Sequence, residues 1–190
     1  YKNVGLVNQV FQSDYELSNL RGHIGIGHVR YSTTGSSNLS NAQPLVATRR
    51  RDSKQIEIDF PGKGPYYNPN AVLAIAHNGN LLNANKLREK LEKRGYKFQT
   101  TSDTEVIMYL IEDYANRSTM AGSSVEDAMS RCMREIKGAY SLVLMTPEKL
   151  FAVRDPKGLR PLCLGSLPRA DSESGSSDVD GYVVASETCA

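Results

Sequence analysis

Three helix-length patterns follow one another between Asn83 and Ile136, with strand-like runs before and after them and none between. A doubly wound sheet needs a helix after each strand, and this chain groups its helices instead. The order of strands, then helices, then a meander predicts a layered α+β fold. With 190 residues, one domain with its own core is expected.

Asn83 is placed to cap a helix carrying Leu87 and Leu91, and Gly95 to stop it. Ser102 and Glu105 have capping-box spacing, and Val106, Ile107, Leu110, Ile111 and Tyr114 form one apolar stripe. Ser124 and Asp127 open the third helix, with Val125, Ala128, Met129, Cys132, Met133 and Ile136 on one face. Alternation predicts strands over 23–32, 55–60 and 72–76, then 140–145, 150–154, 161–165 and 182–186. The polar stretch 49–70 reads as a surface excursion. Residues 169–181, rich in Ser, Asp and Gly, read as a disordered loop.

Bulk properties exclude several function classes. A net charge of +2, from 23 basic and 21 acidic residues, supplies no field for nucleic acid or a membrane surface. No apolar run approaches the roughly 20 residues of a membrane span. Three cysteines without a CxxC pair give neither a disulfide framework nor a zinc site, and they fit a reducing, cytoplasmic setting. Cys132 and Cys163 sit in apolar surroundings, and none of the three has a base at informative spacing for a nucleophile.

Three stretches carry more chemistry than packing needs. Arg30, with Tyr31 beside it, stands at a strand end before a polar loop. Its fork is suited to a carboxylate, although alone such an Arg more often makes a surface salt bridge. Asn78-Gly79 ends an apolar run, and in isolation it reads first as a turn. The functional alternative is an amide and a main-chain N–H aimed at an oxyanion. Asp103 stands at a helix start, where it benefits from the dipole or holds an ammonium group.

Taken in order, Gly27-His-Val-Arg-Tyr-Ser-Thr33, Asn41-Ala-Gln-Pro-Leu45, Ala76-His-Asn-Gly-Asn-Leu81 and Thr101-Ser-Asp-Thr-Glu105 resemble the class II, N-terminal-nucleophile glutamine amidotransferases. The stretch 152–162, Ala-Val-Arg-Asp-Pro-Lys-Gly-Leu-Arg-Pro-Leu, with Ala185-Ser-Glu-Thr188, narrows the resemblance to the amidophosphoribosyltransferases. The likeness covers nearly the whole chain. It implies an incomplete four-layer α-β-β-α sandwich over residues 1–190, a glutamine substrate and ammonia release for purine synthesis.

By the same resemblance, Arg30 binds the glutamine carboxylate and Asp103 its ammonium group. Asn78 and Gly79 form the oxyanion hole, and Tyr31 and Thr33 lie on a loop closing over substrate. The family's nucleophile is an N-terminal Cys, whereas residue 1 here is Tyr. The chain is therefore expected to be truncated before that Cys and again before a phosphoribosyltransferase domain. No cofactor is expected in this domain, and Mg2+ is expected in the other. A homo-oligomer without nucleic-acid or membrane partners is expected. Residues 46–72 exceed the usual link between their flanking motifs. Rival readings are another class II amidotransferase, such as a glucosamine-6-phosphate or asparagine synthetase, and a binding module that has lost its nucleophile.

Overall fold

The structure, a computed structural model, describes residues 2–12, 14–18, 20–30, 39–49, 56–59, 71–117, 124–169 and 179–190. Two short helices, α1 (Val7–Val10) and α2 (Asp14–Ser18), lead into an extended segment. Strands β1 (Leu45–Arg49), β2 (Ile56–Asp59), β3 (Ala71–Leu81), β4 (Gly138–Met145) and β5 (Leu150–Arg154) make one sheet in the order β2-β1-β3-β4-β5. Every neighbouring pair in it is antiparallel. Strands β6 (Cys163–Pro168) and β7 (Val179–Ala185) form a second, antiparallel pair. Helices α3 (Ala84–Glu92), α4 (Asp103–Arg117) and α5 (Val125–Glu135) all lie between β3 and β4 in the chain. The α+β class holds. Among the described residues no helix is long and apolar enough to cross a membrane.

Period-two alternation assigns the two faces of the central strands. Ile75 pairs with Leu144 and His77 with Leu142, and the apolar members of these pairs join the helices in the core. Ala76 pairs with Val143 and Asn78 with Ser141 on the opposite face, which borders a cleft. The second sheet contributes Val184 and Ala185 to the same cleft. The helices, the five-stranded sheet and the β6–β7 pair thus supply an α-β-β succession of layers.

Several local expectations need correction. The predicted strand over 23–32 has no ladder across 24–30 among the described residues, while 31 and 32 lie outside them. Alternation reports two different sides, but only a paired neighbour makes a strand. Residues 45–49 and 56–59, within or beside the supposed excursion, form a β-hairpin at the sheet edge. Leu45, Ala47, Ile56 and Ile58 are buried, so this stretch adds core as well as surface. The Ile56 N–H is met by the Glu112 carboxylate from α4 at 2.6 Å.

Helix α4 also departs from its predicted single stripe: every residue from Thr104 to Asp113 is buried. Flanked by α3 and α5 and seated on β1 and β3, it has apolar neighbours on more than one side. Its buried acids are each paired. Glu105 accepts from Gln99 N, Thr100 N and Thr100 Oγ1 at 2.6–2.8 Å. It therefore holds the preceding loop and does not complete a box with Ser102, whose Oγ accepts from Thr104 N. Asp113 pairs with Arg94.

Asn83 makes no side-chain cap on α3. Its carboxamide instead receives Lys137 N and donates to Glu135 O, joining the start of α3 to the end of α5. Gly95 does stop α3: at φ +91° it allows Gly95 N to reach Glu92 O and Tyr96 N to reach Leu91 O. Ser124 caps α5 in a box with Asp127, as predicted. Strand β6 runs on to Pro168, beside the supposed loop at 169–181, and β7 begins within it at Val179; residues 170–178 lie outside the described residues.

Candidate functional site

Strand β3 does not end at His77. It runs through His77-Asn78-Gly79-Asn80 to Leu81, in continuous register with Leu142 to Gly138. The turn reading of Asn78-Gly79 is therefore wrong. The glycine is required by close approach: Gly79 has φ +147°, and a Cβ there would lie 2.8 Å from Tyr140 Cα and closer still to the Ala139 carbonyl. Polar turn-forming residues were placed inside a strand by tertiary contact alone.

On the edge away from β4, β3 has a strand partner only as far as Ile75, opposite Leu45. Beyond that, side chains meet its main chain. Gln43 Oε1 accepts from His77 N at 2.6 Å. Asp103 Oδ2 accepts from Leu81 N at 3.0 Å. Main-chain groups two residues apart point to the same edge, so the Gly79 N–H faces this edge between the two. Among the described residues no side chain accepts from it.

The Asn78 side chain points to the cleft face, with its Oδ1 3.0 Å from His28 Nε2. Asn78, His28, Arg30 and Gln43 all line one cleft of about 960 Å³. Arg30 is exposed there. The structure thus brings the predicted Arg30 and Asn78 together. Asp103 is not among the cleft residues. It starts α4, with Oδ1 3.3 Å from His77 Nδ1, and its side chain is 21% exposed. Tyr31 and Thr33 lie outside the described residues.

Burial pushes the Asp103 carboxyl up, but hydrogen bonds and charge from His77, with the Leu81 N–H, outweigh it and hold the group below its usual range. Burial lowers the His28 pKa, with hydrogen bonds to Asn78 and the His77 main chain only partly offsetting it. His28 is therefore neutral at pH 7. Thr104 ties the network together, receiving Gln43 Nε2 at 3.2 Å and lying 3.4 Å from His77 Nδ1. Sequence reasoning missed His28, Gln43, His77 and Thr104 as site residues. Their only signal was membership in the short motifs, since their hydrogen-bond partners are 27–61 residues away.

No cysteine lines the cleft. Cys132 is buried in the core, which pushes its thiol up to about 12. Cys163 bonds to Ala185 O and Glu187 O, and Cys189 is exposed. Among the described residues no group of three His, Cys, Asp or Glu side chains is placed to hold a metal ion.

Comparison with known proteins agrees with this geometry. Amidophosphoribosyltransferase from Methanocaldococcus jannaschii is 39% identical over 190 residues, covering all of this chain and 33% of that protein. The enzyme of the same name from Bacillus subtilis is 38% identical over 190 residues, covering all of this chain and 32% of that protein. The one from Synechocystis is 42% identical over 191 residues, covering all of this chain and 32% of that protein. The chain thus spans about one third of the length of these relatives.

A solved structure described as the allosteric regulatory enzyme of purine biosynthesis superposes with a TM-score of 0.73 at 38% identity, covering 97% of this chain and 32% of that one. Glutamine phosphoribosylpyrophosphate amidotransferase from B. subtilis, complexed with ADP and GMP, gives a TM-score of 0.60 at 36% identity, covering 85% of this chain and 27% of that one. A family model described as a glutamine amidotransferase domain matches residues 51–178, more than half of the chain. With the cleft, the Asn78–Gly79 strand and these likenesses together, the chain belongs to the glutamine amidotransferase domain family.

Proposed function

We propose that this domain binds glutamine and stabilises the oxyanion formed when the side-chain amide is attacked, as part of an amidophosphoribosyltransferase. The observation that carries the reading is the Gly79 N–H, facing an open strand edge between two N–H groups that side chains already occupy. Beside it, Asn78 offers a carboxamide held by its oxygen. Two such donors suit a carbonyl oxygen that gains charge. Arg30 in the same cleft supplies the fork for the α-carboxylate. Asp103, ionised at neutral pH, is assigned the α-ammonium on charge rather than on contact with the cleft. Tyr31 and Thr33 complete the assignment as covering residues.

The nucleophile in this reading is a cysteine thiolate from a segment not included in this chain. Its attack on the glutamine amide carbonyl expels ammonia and leaves an acyl-enzyme, which water cleaves to glutamate. Ammonia is then passed to a phosphoribosyltransferase domain and displaces diphosphate from phosphoribosyl diphosphate, giving phosphoribosylamine for purine synthesis. Mg2+ belongs to that second reaction. The setting is a cytoplasmic homo-oligomer.

The test is to express the protein from its complete reading frame and supply glutamine with phosphoribosyl diphosphate and Mg2+. Glutamate and phosphoribosylamine should form in equal amounts. Ammonia should replace glutamine in the synthesis. Glutamine binding without glutamate release would favour a non-catalytic module instead.

A further inference from the structure

An oxyanion hole that uses an Asn side chain must keep the nitrogen, not the oxygen, of the carboxamide toward substrate. The two ends of the amide are nearly the same shape, so something in the protein has to choose between them. The choice is made at His28. Its Nε2 lies 3.0 Å from Asn78 Oδ1. Nδ1 is buried and has no hydrogen-bond partner among the described residues, so Nε2 is the ring nitrogen that the protein engages.

A neutral ring carries one hydrogen, which on Nδ1 would be buried without an acceptor and on Nε2 finds one. With hydrogen on Nε2, Asn78 can present only its oxygen to His28, and its NH2 is turned away toward the cleft.

We propose that His28 is a positioning residue whose Nε2–H, favoured because Nδ1 has no acceptor, sets the orientation of the Asn78 carboxamide as an oxyanion donor. The inference deepens the glutaminase reading and rests on it. His28 does not itself touch the reacting atoms. Its neutrality at pH 7 is what leaves Nδ1 a bare lone pair and makes the tautomer decisive.

Three measurements on the protein expressed from its complete reading frame test this. First, 15N NMR of histidine-labelled wild type should show His28 as the Nε2–H tautomer, a result that needs no activity. Second, His28→Ala should lower kcat for glutaminase roughly tenfold or more, with KM changed far less, since a mis-aimed donor fails mainly in the transition state. His28→Gln, whose amide nitrogen reaches about as far as Nε2, should restore most of the rate. His28→Asn, whose nitrogen mimics Nδ1, should not. Third, His28→Ala added to Asn78→Ala should cost little more, because both remove one function.

An Nδ1–H tautomer would overturn the proposal. So would equal rescue by Gln and Asn, or the same loss from His28→Ala with and without Asn78. A wild-type protein with no glutaminase activity would defeat the glutaminase reading instead, and the tautomer would still decide whether His28 holds Asn78.

Discussion

The two halves of β3 are built differently. Up to Ile75 the strand is paired with β1, and Ala74 and Ile75 are paired with β4 as well. From His77 to Leu81 only β4 remains, and Gln43 and Asp103 take the place of the missing strand at two main-chain N–H groups. The first half is a ladder whose function is stability. The second leaves one N–H available, and the side chains around it fix where that N–H points. An open edge in a sheet is made here by withdrawing a neighbour and capping the N–H groups on either side of one that, among the described residues, no side chain takes.

The largest test of that contrast is Gly79→Ala. A Cβ would meet β4 main chain on one side and His77 Nε2 at 2.9 Å on the other. Strain and overpacking together should cost about 3–5 kcal/mol in urea unfolding. Gly25→Ala, with no atom within 4 Å of the added Cβ, should change stability by less than about 0.5 kcal/mol. Similar costs at both positions would mean that β3 and β4 are not closely apposed at Gly79.

Asn78→Ala comes next and acts on rate. Steady-state glutaminase kinetics should show kcat down roughly 10²–10³-fold with KM less affected. A change in KM alone would remove Asn78 from the oxyanion site. Gln43→Ala should be milder. It leaves the buried His77 N–H without its acceptor, a loss of about 1–3 kcal/mol by denaturant titration. An unchanged midpoint would show that water or another group caps the strand equally well.

The smallest expected effect is on pH dependence. His28 has a lowered pKa in the fold, through burial first, with His77 and Arg30 as unfavourable charge neighbours. Its neutral form is the one that folding favours. The contribution is therefore complete above the unfolded value of about 6.5 and is lost as pH falls from there through the lower folded value. Melting temperature should drop over that window, and His28→Gln should flatten the drop. Equal slopes in the two proteins would place the acid sensitivity elsewhere.

Much of this arrangement was legible from residues alone. The α3, α5, β4 and β5 patterns were read nearly to their ends, because local periodicity and caps dominate there. Arg30 and Asn78 were named from their chemistry and share a cleft. The reading failed where a residue's role depends on a distant neighbour. Asn78-Gly79 looks like a turn in any local window, and only β4 turns it into strand. Glu105 has capping-box spacing, yet its carboxylate is taken by the loop at Gln99 and Thr100. Residues 24–30 alternate like a strand but pair with no strand among the described residues. The strand read over 55–60 is present as β2, but the stretch 49–70 reads as surface, and it still buries Ile56 and Ile58 at the sheet edge.

The sequence by itself determined the helix periodicities, the glycine stop at Gly95, the cap at Ser124 and the set of polar groups available for glutamine chemistry. Those follow from short-range geometry, where a residue and its neighbours within one turn decide the outcome. Tertiary structure alone decided which edge of β3 stays open, which side chains cap it and how the Asn78 amide is turned. Each of those depends on a hydrogen bond across 22 to 50 residues. A donor and an acceptor that far apart in the chain leave no mark on local pattern until the fold brings them within 3 Å.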